Sequence, residues 1–223
     1  MFTPALPTIS VEGLVAAPMQ YRFVDARNPS LPPLILLHGS GGNETDMLPV
    51  AAAVAPEYAA FSLRGAIVWE EGYAFFRRFP DRRIDEDSIR AEVPALAAFI
   101  TDVVAQHHCK SKPVLIGFSN GAIMAAALML LFPNLARGAA LLRPLSPFAT
   151  RIDTRLPGTP VLVIDAVNDP RRRAGDGVKM ASQLKQAGAA VEHHSLPAGH
   201  DLTDHDQALL RGWLDRVDLG RPR

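Results

Sequence analysis

Short runs of apolar residues alternate along this chain with longer segments of helical periodicity, and this alternation strongly constrains the fold. Several short runs are unbroken stretches of Val, Ile and Leu, as is typical of strands buried on both faces. Strands that alternate with helices form βαβ units, so the sequence predicts an α/β fold with a mostly parallel central sheet flanked by helices on both faces. The predicted strands are 21–24, 34–37, 59–63, 114–117, 138–142, 161–164 and 191–196, and the predicted helices are 44–54, 85–107, 120–131, 176–186 and 202–217.

The length favours a single α/β domain over residues 1–223. A chain of this size can bury roughly 70% of the surface that it exposes when unfolded, which is enough for a core without disulfides or metal. No repeat or linker interrupts the pattern. The stretch 64–83 is long and aromatic, and we interpret it as an irregular excursion from the sheet rather than a second domain.

The charge and composition exclude several classes of partner. Lys and Arg together number 23 and are balanced by 23 Asp and Glu, so there is no electrostatic attraction to nucleic acid or to an anionic membrane surface. The longest apolar run, about 121–132, is too short to span a bilayer. The first 13 residues do not read as a signal peptide, and the single cysteine, Cys109, cannot form an intrachain disulfide. We therefore expect a soluble, cytoplasmic protein.

One serine stands between two glycines at the junction of a predicted strand and a predicted helix. The pentapeptide at 117–121 reads Gly-Phe-Ser-Asn-Gly, with Ser119 at its centre. A G-x-S-x-G pattern in a strand–turn–helix context is typical of a nucleophile elbow, in which a strained turn exposes the serine hydroxyl. The alternative is a flexible turn bracketed by glycines with an idle serine.

A serine nucleophile needs a histidine base that is held by a carboxylate. Of the seven histidines, only His200 lies in a loop directly after a late predicted strand. Asp165 and Asp169 both follow the predicted strand 161–164. We favour Asp169, because it lies further out in the loop and can reach across to His200, and we keep Asp165 as the alternative.

The oxyanion of acyl transfer needs preorganised N–H donors. The backbone N–H of Asn120, directly after the nucleophile, is the first candidate. The second is the backbone N–H of Ser40 in the glycine-rich loop 38–42, which follows an early predicted strand. A glycine-rich loop can also hold phosphate, but the Lys-Ser/Thr pair of a P-loop is missing here.

Taken together, these features resemble the α/β-hydrolase fold and, within it, the phospholipase/carboxylesterase family. The resemblance extends over roughly residues 18–217, and the segment after residue 64 is similar to a bacterial branch of that family. The motifs that carry it are Leu37-His38-Gly39 with a following Gly-Gly, Gly117–Gly121, Asp169-Pro170, Gly199-His200, and Arg64-Gly65 with Gly72 and Phe75-Phe76-Arg77-Arg78.

The resemblance implies hydrolysis of small carboxylic esters through an acyl-serine, without a metal or cofactor. It assigns Ser119, Asp169 and His200 as the catalytic triad, with Ser40 and Asn120 as oxyanion donors. The chain departs from the family pattern after Asp169-Pro170, where 171–173 are three arginines instead of an apolar residue and a proline. It departs again at Asp165, where the family often has histidine.

We therefore expect a serine carboxylesterase whose partner is a small-molecule ester. Two alternatives stay open: a thioesterase or lysophospholipase with the same machinery, and a non-catalytic binding module on a hydrolase scaffold. A binding module would have no reason to keep every triad position filled. A homodimer is compatible with the sequence but is not specified by it.

We also expect the stretch 64–83 to lie over the active-site mouth. Trp69 and at least one of Phe75 and Phe76 would then form the wall of the acyl or alcohol pocket. The alternative is that the two phenylalanines anchor the segment to the core. Two arginines, Arg77 and Arg78, follow these aromatic residues and favour short acyl groups over long ones. They would be solvated or paired with Asp81, Asp85 or Glu86.

Overall fold

A twisted seven-stranded sheet forms the centre of the computed structural model, which describes residues 19–217. The first strand pairs with its neighbour in antiparallel fashion, and every other pair in this sheet is parallel. The strands of the chain are β1 (Gln20–Val24), β2 (Leu34–Leu37), β3 (Ala60–Arg64), β4 (Ile67–Trp69), β5 (Gly72–Ala74), β6 (Val114–Phe118), β7 (Gly138–Leu142), β8 (Pro160–Ala166) and β9 (Ala190–Leu196). The order across the large sheet is β1-β3-β2-β6-β7-β8-β9.

Helices cover both faces of this sheet. They are α1 (Leu48–Val54), α2 (Glu86–Gln106), α3 (Asn120–Leu131), α4 (Asp176–Gln186) and α5 (Asp204–Arg216). Successive side chains of a strand point to opposite faces, and β2 shows the result: Ile35 and Leu37 join the core beneath α2, α3 and α4, whereas Leu34 and Leu36 join the core beneath α1 and α5. Apolar strands buried on both faces are therefore required, as the sequence predicts.

Helix α3 positions the centre of the molecule. After Asn120 its side chains are apolar on every side, and the residues from Asn120 to Leu130 are all buried. The helix packs against β2, β6 and β7 on one side and against α2 on the other. A helix that is hydrophobic all round is stable only when it is enclosed in this way, so the residue at its start is held firmly in place.

The predicted α/β fold and the predicted strands of the large sheet are confirmed, with ends that differ by at most two residues. Helix α1 begins at Leu48 rather than at residue 44, because polar side chains before it bind the local backbone. Asn43 Oδ1 accepts the N–H of Thr45, and Asp46 Oδ2 accepts the N–H of Asn43. Such local bonds compete with helix formation. The predicted single domain over 1–223 extends beyond the described residues and stays a prediction. The inference that the first 13 residues are not a signal peptide also lies outside the described residues and stays a prediction.

The stretch 64–83 is not irregular throughout, and that part of the prediction is wrong. Strands β4 and β5 form a hairpin within it, and the hairpin is bridged to the loop 38–42 through Gly42 and Tyr73. Three-residue strands are too short to show a periodicity in the sequence. The hairpin turn also has no glycine signal, because Glu70 occupies the position with a positive φ of 53°, where glycine is the usual residue.

No helix among residues 19–217 has the length and apolar character needed to cross a membrane.

Candidate active site

The turn between β6 and α3 holds Ser119 in a strained conformation. Its φ of 51° and ψ of −106° lie in a region that residues with a side chain rarely adopt. The flanking glycines are required by close backbone packing. A Cβ on Gly117 would lie 2.4 Å from the carbonyl oxygen of Gly121, and a Cβ on Gly121 would lie 2.2 Å from that of Leu37. The predicted strand–turn–helix elbow is thus present in the structure.

The three residues predicted as a triad lie together at the carboxyl ends of β6, β8 and β9. Nε2 of His200 is 3.0 Å from Oγ of Ser119, and Nδ1 of His200 is 2.7 Å from Oδ2 of Asp169. A carboxylate can only accept, so Nδ1 carries the proton and Nε2 accepts the hydroxyl hydrogen of Ser119. The Asp169 side chain is fully buried, and that of His200 is 8% exposed, so this chain of hydrogen bonds is shielded from water.

The alternative acid, Asp165, points elsewhere. Its Oδ2 lies 3.2 Å from Nε2 of His193, a residue on the neighbouring strand β9. His200 therefore contacts Asp169 and not Asp165 in this structure. The pair of Asp165 and His193 is not part of a larger ligand set, since residues 19–217 contain no group of three His, Cys, Asp or Glu placed to hold a metal ion.

The surroundings of His200 favour its neutral form. Burial lowers the pKa of the imidazole below its usual value of 6.5; the hydrogen bond to Asp169 acts in the opposite direction, and the positive charge of Arg172 lowers the pKa further. The net result is a pKa below the ordinary histidine value. At neutral pH His200 is thus uncharged, with a lone pair on Nε2 that can take the proton of Ser119.

A buried arginine fixes the loop that carries His200. Arg143 is completely buried, and its Nη1 and Nη2 donate to the two carboxylate oxygens of Asp206 at 2.6 and 2.9 Å. The same guanidinium donates to the carbonyl oxygens of Gly199 and Asp201 at 3.1 Å each. These two residues bracket His200, so Arg143 holds the imidazole loop on both sides. The sequence analysis missed this residue, whose one signal is a charge directly after the apolar run of β7.

Two backbone N–H groups are the predicted oxyanion donors. The N–H of Asn120 is the first of α3 and has no intrahelical acceptor. The N–H of Ser40 lies in the adjacent loop 38–42, and within residues 19–217 neither group donates to another residue. The two loops are joined, because the N–H of Gly121 donates to the carbonyl oxygen of His38 at 3.0 Å. Their roles as oxyanion donors stay predictions.

His38 holds the glycine-rich loop in shape. Its Nδ1 donates to the carbonyl oxygen of Gly39 at 2.6 Å, and its Nε2 accepts the N–H of Gly65 at 3.1 Å. Burial lowers the pKa of His38, which keeps Nε2 free of a proton and able to accept. The ring thus connects the loop to the segment that begins after β3.

The side chain of Asn120 ties the segment 64–83 to the elbow. Its Oδ1 accepts the N–H of Phe75 at 2.8 Å, and its Nδ2 donates to the carbonyl oxygen of Phe76 at 3.3 Å. Phe75 and Phe76 are 3% and 0% exposed and belong to the main core, whereas Trp69 is half-buried. The two phenylalanines therefore anchor the segment. A pocket role for Trp69, Phe75 and Phe76 stays a prediction.

An arginine contacts the predicted nucleophile, Ser119, and no motif in the sequence indicates this contact. Nη2 of Arg172 lies 3.1 Å from Oγ of Ser119 and 2.6 Å from the carbonyl oxygen of Arg143. The sequence marks this residue only as part of the departure at 171–173. The distance to Ser119 is set by the loop after β8 and could not be read from spacing.

The sheet order, the helices on both faces and the elbow after β6 define the class of protein: it has the α/β-hydrolase fold and is an ester hydrolase. A sequence model described as phospholipase/carboxylesterase matches residues 20–210, and the chain belongs to this family. The resemblance stated from the motifs is thereby confirmed.

Proteins of known sequence or structure agree with this assignment. The chain is 28% identical over 181 residues to MhqD of Bacillus subtilis, covering 81% of this chain and 90% of that protein. It is similar to the crystal structure of a Bacillus cereus carboxylesterase, with a TM-score of 0.86, 32% identity and coverage of 90% of this chain and 95% of the other. A carboxylesterase from Mesorhizobium loti gives a TM-score of 0.83 and 34% identity, over 92% of this chain and 98% of the other.

Proposed function

We propose that the protein is a serine carboxylesterase that cleaves small carboxylic esters through an acyl-serine intermediate. Ser119 is the nucleophile, His200 the general base and acid, and Asp169 the carboxylate that orients His200. The observation that carries the proposal is the hydrogen-bonded chain from Oγ of Ser119 through both ring nitrogens of His200 to Oδ2 of Asp169. We keep the expectation of a cytoplasmic protein as part of this proposal.

In the first half-reaction His200 takes the hydroxyl proton of Ser119 while Oγ attacks the ester carbonyl carbon. The carbonyl π electrons move to oxygen, and the resulting oxyanion accepts hydrogen bonds from the N–H groups of Ser40 and Asn120. His200 then gives its proton to the leaving alcohol as the carbon–oxygen bond of the ester breaks. Asp169 stays ionised and holds the imidazole in the required tautomer.

In the second half-reaction water replaces the alcohol. His200 removes a proton from the water, the hydroxide oxygen attacks the acyl carbon, and the same two N–H groups hold the second oxyanion. The bond to Oγ of Ser119 breaks, the proton returns to Oγ from His200, and the carboxylic acid leaves. Every proton that His200 takes up is returned, so these reaction steps need no cofactor.

The test is the hydrolysis of p-nitrophenyl acetate by Ser119→Ala. We expect kcat/KM to fall by about 10⁴-fold or more, since removing the nucleophile of a serine triad removes nearly all of its catalysis. Ser182→Ala is the matched control, because Ser182 is exposed in α4, and it should keep wild-type turnover. Wild-type turnover in Ser119→Ala, with the far-UV circular dichroism unchanged, would refute the proposed function.

A further inference from the structure

Arg172 places a positive charge directly beside the proposed nucleophile. Its Nη2 is 3.1 Å from Oγ of Ser119. The guanidinium plane is fixed from behind, because Nε and Nη2 donate to the carbonyl oxygen of Arg143 at 2.9 and 2.6 Å and Nη1 donates to that of Arg171 at 3.0 Å. Four of the five N–H donors of an arginine are thereby used. Within the described chain, the fifth has no acceptor.

Arg172 forms no ion pair with a carboxylate among residues 19–217. No carboxylate oxygen lies within ion-pair distance of Arg172, and the two carboxylates whose charges act on it from further away, Asp169 and Asp176, accept their hydrogen bonds from other groups. Asp169 binds His200, and Oδ2 of Asp176 accepts the N–H of Arg173 at 2.7 Å. A partly buried charge is costly unless something of the opposite sign meets it. Within the described residues, a directly contacting anion is therefore missing at Arg172.

Two further arginines add to the positive charge. Arg78 donates to the carbonyl oxygen of Arg82 and lies over the ring of Phe76, and it forms no ion pair in the described part of the chain. Burial, and then the charges of Arg82 and Arg171, lower the pKa of Arg78. Burial, and then the charge of Arg78, lower the pKa of Arg172 to about 10. The positive charges of Arg78 and Arg171 thus both act on Arg172.

We propose that the substrates are esters that carry a carboxylate a few bonds from the scissile bond, and that Arg172 binds this carboxylate. This inference rests on the proposed function. The acyl carbon must come within about 3–3.5 Å of Oγ of Ser119 to react, so a guanidinium beside that oxygen lies within reach of a short acidic side arm. A planar guanidinium suits a carboxylate, and Arg78 and Arg171 strengthen the local positive potential.

Charged and neutral esters of equal size test the proposal. Monomethyl glutarate and its monoamide differ only in the charge at the end of the acyl chain. Acetoxyacetate and acetoxyacetamide differ in the same way on the alcohol side, so the two pairs also show which side of the ester carries the acid. We expect the wild type to prefer the acid of at least one pair by about 10- to 100-fold in kcat/KM, the range for a hydrogen bond to a charged group.

Variants at one position separate binding from structural support. In Arg172→Gln the acid-to-amide ratio should fall to about one, and in Arg172→Lys it should be partly retained. Arg173→Gln is the matched control, because Arg173 is the exposed neighbour, and it should leave the ratio unchanged. A purely structural role for Arg172 would lower kcat/KM for both members of a pair and leave their ratio unchanged, which would overturn the proposal.

The outcome can be distinguished from failure of the proposed function. Equal kcat/KM for acid and amide in the wild type, or hydrolysis of p-nitrophenyl acetate without hydrolysis of either acid, would overturn the carboxylate proposal alone. Persistence of the acid preference in Arg172→Gln would overturn the assignment to Arg172. Absence of hydrolysis of every ester, including p-nitrophenyl acetate, would instead refute the esterase itself.

Discussion

At the scale of single residues, backbone strain at Ser119 and burial of His200 favour the proposed roles of nucleophile and base. The positive φ of Ser119 costs on the order of 1–3 kcal/mol, which the surrounding packing of α3 must offset. This backbone conformation directs the Ser119 hydroxyl away from the backbone at the carboxyl edge of the sheet. Burial has the matching effect on His200, because it disfavours the charged imidazolium and leaves a base ready at neutral pH.

The lowered pKa of His200 predicts the pH dependence of the reaction. In the proposed mechanism the neutral imidazole of His200 is the active form, so kcat/KM should be constant above the pKa of His200 and fall as the pH decreases through it. Since burial, with a contribution from Arg172, places the pKa below 6.5, the acid limb should have its midpoint below pH 6.5. Hydrolysis of p-nitrophenyl acetate, followed at the isosbestic wavelength of the product, measures this midpoint.

The variant Arg172→Gln checks whether the charge of Arg172 contributes to the lowered pKa of His200. Loss of a nearby positive charge makes protonation of His200 easier, so the midpoint of the acid limb should move to higher pH. An acid limb centred above pH 6.5 in the wild type, or a midpoint that moves to lower pH in Arg172→Gln, would contradict the electrostatic account of the site.

At the scale of elements, the site is assembled by contacts between segments that are distant in the chain. Arg143 follows β7 yet holds the loop after β9 and the start of α5 through Asp206. Asn120 begins α3 yet holds the segment 64–83 through its backbone. Both side chains are buried and every one of these bonds is internal, so their geometry is protected from competition with water.

The hairpin formed by β4 and β5 gives a prediction for Trp69. If this side chain is part of the substrate pocket, Trp69→Ala should change the ratio of kcat/KM between p-nitrophenyl acetate and p-nitrophenyl hexanoate, since pocket contacts act through differential transition-state binding. Val68→Ala is the control, because Val68 is 56% exposed on the same strand. A lower melting temperature in Trp69→Ala with an unchanged ratio would assign the residue to packing instead.

At the scale of the whole molecule, the large sheet and the three residues of the proposed triad could be predicted from the sequence. Buried parallel strands leave unbroken apolar runs, and Ser119 and Asp169 follow such runs, whereas His200 follows the mixed sequence of β9 and is marked by its place in the loop after a late strand. Parallel strands end at the same edge of a sheet, so side chains that come after them meet there. These are properties of local sequence and chain order, and both can be read without coordinates.

The short hairpin, the burial of the two phenylalanines and the contact of Arg172 could not be predicted, because they depend on distances that local sequence does not encode. The hairpin of β4 and β5 consists of strands of three residues each, too short for a periodic pattern. In the sequence, Phe75 and Phe76 are equally compatible with a pocket wall and with the core, and only the coordinates show that they are buried and belong to the main core. Arg172 is one of three consecutive arginines, and only the course of the loop after β8 distinguishes it from its neighbours.

The central claim is that Ser119 is the residue that attacks the ester, and covalent labelling tests it most directly. A fluorophosphonate reacts with an activated serine and stays attached, so intact-mass spectrometry of the labelled wild type should show one adduct per chain. Peptide mapping should place that adduct on Ser119, and the Ser119→Ala protein should stay unlabelled under the same conditions. An adduct on any other residue, or equal labelling of Ser119→Ala, would contradict the account.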